Sequence, residues 1–124
     1  MQKVLILEPR EIWQNLWKPA LEERGFIVLI AWSTDQAEVI LERNPGIAAI
    51  AVSARISGRT VSPEFVKKVR SLFPEIKIII TSGDGFFDEE LLKVEDDIKC
   101  EKSKLFRILI DLFQKSPIQI AHCS

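Results

Sequence analysis

Few reactive side chains follow the apolar runs of this sequence. Glu8 comes directly after "VLIL", Thr81 after "IKIII" and Lys102 after "IKCE". The run "IAAIAV" (47–52) is followed by no acid, because residues 43–63 contain neither Asp nor Glu. In α/β domains the carboxyl ends of such buried runs are where a reactive acid is expected. The pattern offers one carboxylate, one hydroxyl and one ammonium group, and raises the question of what a strand end without an acid is for.

These groups do not complete a known catalytic or cofactor motif. A serine nucleophile at Ser53 would need a general base, and the only histidine, His122, lies near the C-terminus. Cys100 and Cys123 have neither CxxC nor zinc spacing, and Cys100 reads as a small core residue of a strand. No GxGxxG or GxxxxGK[ST] motif occurs. We therefore expect no enzymatic activity, no metal and no cofactor.

Composition is that of one globular domain. The chain has 124 residues, of which 47% are hydrophobic and 28% charged, with a formal net charge of −1. Such a balance predicts no nucleic-acid binding by this domain and no membrane association, and the cysteine usage favours the cytoplasm. We expect a domain over residues 1–115, with residues 116–124 as a flexible tail or the stub of a linker.

The elements that must position the strand-end residues alternate five times along the chain. The predicted strands are 3–7, 26–32, 47–52, 76–81 and 98–101, and the predicted helices are 10–24, 33–43, a helix beginning at Ser62-Pro63, 87–94 and 104–114. This alternation predicts an α/β fold with a doubly wound, five-stranded parallel sheet of flavodoxin-like order 2-1-3-4-5. Two helices should cover one face of the sheet and three the other.

The strand ends resemble those of the receiver domains of bacterial response regulators, the CheY-like family. "VLILEPREIW" is similar to the family's first strand, "NPGIAAIA" to its third, "IIITSG" to its fourth and "IKCEKS" to its fifth. The resemblance covers about residues 3–115. The positions of the family's phosphorylation pocket fall on Glu8, Pro9, Ala51, Thr81 and Lys102.

Two of these positions depart from the family pattern. Pro9 stands where the second acid of a pair belongs, and Ala51, thirty residues before Thr81, stands where the phosphate-accepting aspartate belongs. The resemblance implies a Mg²⁺ ion held by these acids, and Mg²⁺ takes oxygen ligands. With Glu8 as the one remaining carboxylate, we interpret the pocket as vestigial, without metal and without phosphoryl transfer.

The resemblance and its departures together predict a pseudo-receiver in two-component or phosphorelay signalling of a bacterium. Its function would be phosphorylation-independent contact with a protein partner, or with a second copy in a homodimer. The alternative is a receiver that still responds to another input, such as an anion at the strand ends or phosphorylation of Ser53. A small enzyme on this fold is a third and weaker interpretation, because no candidate base is present.

Glu8 is expected to pair with a cation. Lys102 is one candidate, and the arginines Arg55 and Arg59 of the loop after the third strand are the others, since a guanidinium could fill the space of a metal ion. An unpaired acid among apolar strand ends would carry a desolvation cost. The alternatives are that Glu8 only caps the first helix and that the arginines only solubilise the loop.

Two surfaces compete as the contact site. Ile12, Leu16 and Ala20 have helical spacing and predict the buried face of the first helix, so Trp13 or Trp17 would be exposed and anchor a partner. If both rings are core, the charged segment 88–104 around the fourth helix and last strand is the other candidate.

Overall fold

The structure is a computed structural model that describes residues 1–94 and 98–114. The predicted tail, residues 116–124, and the centre of the charged segment, residues 95–97, lie outside the described residues. The strands are β1 (Lys3–Leu7), β2 (Ile27–Ala31), β3 (Ile47–Ser53), β4 (Arg55–Ile56), β5 (Arg59–Thr60), β6 (Lys77–Ser82) and β7 (Ile98–Glu101). The helices are α1 (Glu11–Glu23), α2 (Thr34–Arg43), α3 (Pro63–Leu72), α4 (Glu89–Leu92) and α5 (Leu105–Phe113), and a 3₁₀ turn, Lys102–Lys104, joins β7 to α5.

The main sheet has the predicted topology. Its order is β2-β1-β3-β6-β7 and all of its neighbouring strands are parallel, so β6 and β7 are the fourth and fifth strands expected from the sequence. Residues of α1 and α5 pack on one face, and residues of α2, α3 and α4 pack on the other. The predicted fold class is therefore confirmed, including two helices on one face and three on the other. None of the described helices is long and apolar enough to cross a membrane.

Side-chain alternation explains why β3 reads as an uninterrupted apolar run. Ile50 and Val52 belong to the core under α2 and α3, whereas Ala49 and Ala51 belong to the core under α1 and α5. A strand that is covered on both faces has no polar side, so its sequence shows no alternation. The small alanines leave room on their face for the large side chains of α1.

Serine caps begin two of the helices where the sequence predicts them. The hydroxyl oxygen of Ser33 accepts a hydrogen bond from the backbone N–H of Gln36 (3.2 Å) at the start of α2. Ser62 accepts one from the N–H of Glu64 (3.2 Å), and Pro63 occupies the first position of α3. Both contacts satisfy N–H groups that a helix leaves without an internal partner.

The predicted buried face of α1 is wrong. Ile12 is 74% exposed and Leu16 is 58% exposed, whereas Trp17 and Leu21 are buried and Trp13 is half-buried. The two indole rings stack on each other with their centroids 5.1 Å apart. Because tryptophan buries more apolar area than isoleucine or leucine, the helix turns the tryptophan stripe toward the sheet. Trp17 is thus a core residue and is not available as a contact surface in this fold.

A small hairpin replaces the loop predicted after β3. The strands β4 and β5 pair antiparallel around Ser57 and Gly58, whose φ angles of 55° and 75° are both positive. Positive φ at both central residues is the geometry of a type I′ turn, the turn that matches the twist of a two-residue hairpin. The hairpin is tied to the main sheet, because the N–H of Ala54 donates to the carbonyl of Thr81 (2.7 Å).

Candidate functional site

Four polar residues lie at the carboxyl ends of the strands, on the face of the sheet that α1 and α5 cover. Side chains alternate along a strand, so each position two residues beyond a core residue faces the same way. Ile6, Ala51, Ile79 and Cys100 all lie in this core. The residues that follow them at this spacing are Glu8, Ser53, Thr81 and Lys102, and all four are buried. Because the strands are parallel, these residues gather at one edge of the sheet.

Glu8 and Lys102 form a buried ion pair. Glu8 is 1% exposed, Lys102 is 6% exposed, and the ammonium nitrogen Nζ lies 2.5 Å from Oε1 of the carboxylate. The other carboxylate oxygen, Oε2, accepts a hydrogen bond from the backbone N–H of Arg10 (3.0 Å). Both oxygens are therefore engaged. The sequence predicted a cation beside Glu8, and Lys102 is that cation.

Two side chains of α1 hold this pair in place. The Nε2 of Gln14 donates to the backbone carbonyl of Glu8 (2.5 Å), and the Trp13 ring centroid lies 6.0 Å from Nζ of Lys102. The hydrogen bond fixes the chain at the end of β1, and the ring face attracts the ammonium group. Among the described residues, Oε1 of Glu8 has no hydrogen-bond donor other than that ammonium. The negative charge of the buried Glu8 carboxylate is therefore compensated by Lys102.

Ala51, predicted to stand at the position of the phosphate acceptor, does not lie at the end of its strand. Ala51 lies in the core with Trp17 and Leu105, and β3 continues past it to Ser53. Ser53 is paired in register with Thr81, so these two hydroxyls lie side by side at the carboxyl ends of β3 and β6. The hydroxyl of Ser53 donates to the carbonyl of Arg55 (2.9 Å). Ala51 and Ser53 lie on the same face of the sheet, and Ser53 is two residues nearer to the carboxyl end of β3.

A groove of about 760 Å³ opens over this edge. Buried Ser53, Thr81 and Lys102 lie at its base. Its walls come from the start of α1, the β4–β5 hairpin and the loop from β6 to α4. The residues that line these walls are Pro9, Arg10, Trp13, Ala54, Arg55, Ser57, Gly58, Ser82, Gly83, Asp84, Phe86 and Asp88. Pro9 and Arg55 line the groove. Arg59 is exposed outside it, and Ala51 and Trp17 are core residues that do not reach it.

The two acids in the walls each accept hydrogen bonds, Asp84 within its own loop and Asp88 from the β4–β5 hairpin. Asp84 accepts hydrogen bonds from the backbone N–H of Phe86 (3.0 Å) and the hydroxyl of Ser82 (2.8 Å), and these bonds hold the pKa of its carboxyl below the ordinary value. Asp88 accepts one from the hydroxyl of Thr60. Neither acid lies with Glu8 as a shared set of ligands, since the described residues contain no cluster of three or more His, Cys, Asp or Glu that could hold a metal ion.

The donor set therefore does not fit a magnesium ion. Glu8, the one carboxylate among the four buried residues of this group, is paired with Lys102, and the neighbouring positions supply the hydroxyls of Ser53 and Thr81 and the ring of Pro9. Mg²⁺ is bound through carboxylates that keep their negative charge for the metal. Buried Cys100 is no substitute for a carboxylate, because Mg²⁺ takes oxygen ligands.

Comparison with known proteins gives the fold a class. No family model matches the chain. A receiver domain from Methylobacillus flagellatus has a TM-score of 0.73 at 22% identity, over 92% of this chain and 97% of that one. The beryllofluoride-activated receiver-domain dimer of NtrC4 has a TM-score of 0.75 at 19% identity, over 90% of this chain and 95% of that one. The chain thus has the CheY-like fold of response-regulator receiver domains.

One curated sequence is also similar. The chain is 36% identical over 80 residues to the hydrogenase transcriptional regulatory protein HoxA of Cupriavidus necator. That match covers 64% of this chain and 16% of the relative, so the chain spans about a sixth of the relative's length.

Proposed function

We propose that this chain is a pseudo-receiver of a two-component-type signalling system that acts through phosphorylation-independent contact with a protein partner. One observation carries the proposal. The carboxylate of Glu8, just after β1, is buried and paired with Lys102 at 2.5 Å, while β3 ends in Ser53 instead of an acid. A receiver fold with this edge keeps the scaffold and lacks the reactive group.

The chemistry of phosphoryl transfer supports the same conclusion. An aspartate nucleophile is ionised at neutral pH, whereas the hydroxyl of Ser53 needs a base to remove its proton. The carboxylates that line the groove already accept hydrogen bonds, Asp84 from Ser82 of its own loop and Asp88 from Thr60 of the hairpin. Ser53 itself is buried and donates its proton to the carbonyl of Arg55. These contacts favour a domain that neither catalyses a reaction nor is phosphorylated at Ser53.

The similar proteins suggest the setting. HoxA is named as a transcriptional regulatory protein, and the NtrC4 receiver domain is a dimer. We infer that this chain likewise serves in regulation in the cytoplasm, and that its partner is another regulatory protein or a second copy.

Treatment with acetyl phosphate and Mg²⁺ tests the proposal. The intact mass of the wild-type protein is expected to stay unchanged, because the described residues at this strand end offer neither a carboxylate acceptor nor a cluster of acids for a metal ion. The double variant P9D/S53D is the positive control, since it would place three carboxylates at this edge together with Glu8. The variant Ala51→Asp is the matched control, because its acid would enter the core and should gain no phosphoryl group. A phosphoryl adduct on the wild-type protein, mapped to Ser53 or Thr81, would overturn the proposal.

A further inference from the structure

We infer that this chain forms a homodimer through the outer side of β2, the β2 edge, where β2 of one copy pairs antiparallel with β2 of a second copy about a two-fold axis. The inference rests on the proposed function and deepens it, because it gives the phosphorylation-independent contact a surface and a partner. The hydrogen bonds of β2, its side chains and the groove beside it each support this pairing.

The outer side of β2 carries backbone groups that the sheet does not use. At the two ends of β2, the N–H of Ile27 donates to the residue before β1 (2.9 Å) and the carbonyl of Ala31 accepts from the residue after β1 (3.1 Å). Because the direction of the backbone groups alternates along a strand, Val28 and Ile30 point their N–H and C=O groups away from β1. Within residues 1–94 and 98–114, no strand pairs with β2 on that side.

Contacts within the chain limit this free segment at both of its ends. The N–H of Phe26 donates to the carbonyl of Leu21 (3.1 Å), and the N–H of Trp32 donates to Oε1 of Gln36 (2.6 Å). The outward N–H groups of β2 between these two positions have no partner among the described residues. The stretch that is open to another strand is therefore short and has defined ends.

One register of antiparallel pairing satisfies the whole free segment. With Leu29 opposite Leu29 of the second copy, Val28 of each copy lies opposite Ile30 of the other. Residues that face each other in this way exchange both of their hydrogen bonds, so every outward N–H group of the two strands finds an acceptor. The free segment is thus self-complementary about a two-fold axis, which favours a second copy over an unrelated strand.

The side chains of β2 lack the features that protect an edge strand. Its sequence, IVLIA, contains neither charge nor proline, and its pairing with β1 continues without a bulge. Ile27 is 39% exposed, and Trp32, just after the strand, is 46% exposed. The strand at the opposite edge of the sheet, β7, carries the charged residues Lys99 and Glu101, which discourage pairing with another chain. The difference indicates that contact occurs at the β2 edge.

A second, smaller groove of about 350 Å³ lies beside the β2 edge, between α1 and the end of β2. Its lining includes Lys18, Pro19 and Glu22 of α1 as well as Trp32. Lys18 and Glu22 are exposed, and neither forms an ion pair in the part of the chain that the structure describes, so a copy turned by a two-fold axis can offer each the opposite charge. The register about Leu29 brings Trp32 of the second copy toward the C-terminal half of α1, where the groove has room for its ring.

Sedimentation velocity of the full chain, without any phosphodonor, tests this inference. Between about 10 μM and about 1 mM protein, the sedimentation coefficient is expected to rise from that of a monomer toward that of a dimer. Amide hydrogen exchange over the same range locates the contact. The N–H groups of Val28 and Ile30 should exchange at least about tenfold more slowly at the high concentration, whereas that of Leu29, which faces β1, should change far less.

Charged variants test whether the β2 edge is the surface that pairs. I27K/W32K should stay monomeric over the same range, because lysine on an edge strand opposes pairing. I12K/L16K adds the same charge at exposed apolar positions of α1 outside the lining of the groove, and should dimerise as the wild type does. All four side chains are exposed, so unchanged melting temperatures would show that folding is intact.

Three outcomes would overturn the inference. They are a monomer at the highest concentration, a dimer that I27K/W32K forms as readily as the wild type, and a dimer that leaves the exchange of Val28 and Ile30 unchanged. The exchange measurement uses the wild-type chain, so it decides the question even if I27K/W32K does not fold. None of these outcomes bears on the acetyl phosphate experiment, so failure of the dimer and failure of the pseudo-receiver proposal can be told apart.

Discussion

Replacing Lys102 with methionine is expected to lower the free energy of unfolding by about 3–5 kcal/mol, the cost typical of leaving one partner of a buried ion pair alone. The Lys102 ammonium group lies 2.5 Å from the buried carboxylate of Glu8. Methionine keeps most of the length of the side chain but cannot compensate the charge. Urea unfolding at neutral pH, followed by tryptophan fluorescence, measures the difference.

Two further variants separate charge from packing. Lys104→Met lies in the same 3₁₀ turn at an exposed site, and its effect should stay within about 0.5 kcal/mol. The double variant E8M/K102M removes both charges and should recover most of the loss, although the hydrogen bond from the N–H of Arg10 to Glu8 is lost as well. A cost below about 1 kcal/mol for Lys102→Met is the value of a surface ion pair and would contradict the buried pairing.

Replacing Trp17 with alanine is expected to cost about 3–5 kcal/mol of stability, as other deletions of buried aromatic side chains do. Trp17 is 2% exposed and packs in the core between α1, α5 and the sheet. Trp13→Ala should cost less, because Trp13 is half-buried and also borders the groove. The same urea experiment ranks the two variants.

Leu16→Ala is the matched control for the orientation of α1. Leu16 is 58% exposed, so its replacement should change the stability by no more than about 0.5 kcal/mol. If Leu16→Ala cost more than Trp17→Ala, the helix would carry its isoleucine and leucine stripe inward, and the burial described for α1 would be wrong.

Much of the fold could be predicted from local signals. The five apolar runs are short and separated by segments of helical periodicity, which fixes the class and the order of the elements. Ser33 and Ser62-Pro63 mark helix starts because their side chains satisfy free N–H groups, and this chemistry is local to the sequence. The position of Glu8 and Lys102 on the same face as the core residues two positions before them follows from the alternation of side chains along a strand.

The orientation of α1 could not be predicted in the same way. Ile12 and Leu16 form one stripe, and Trp13 and Trp17 form another one residue further along, about 100° around the helix. Periodicity supports both stripes equally. The choice depends on how much area each buries against the alanines of β3, and that is a tertiary contact.

The end of β3 was ambiguous for a related reason. The run through Ala51, Val52 and Ser53 contains only small or apolar residues, so nothing in it marks the last paired position. Pairing of Ser53 with Thr81 decides the end, and this pairing depends on the neighbouring strand. The Ser57-Gly58 dipeptide was a usable turn signal for the hairpin, since such pairs mark tight turns.

A titration of ¹⁵N-labelled protein with millimolar Mg²⁺ is the most direct test of the central claim that this strand edge holds an ion pair and no metal site. The indole N–H of Trp13 is the reporter, because its ring lies 6.0 Å from Nζ of Lys102, and Trp13→Phe assigns the signal. The wild-type signal is expected to show no saturable shift, whereas that of P9D/S53D should shift and saturate. A saturable shift in the wild-type protein that Glu8→Gln abolishes would contradict the claim.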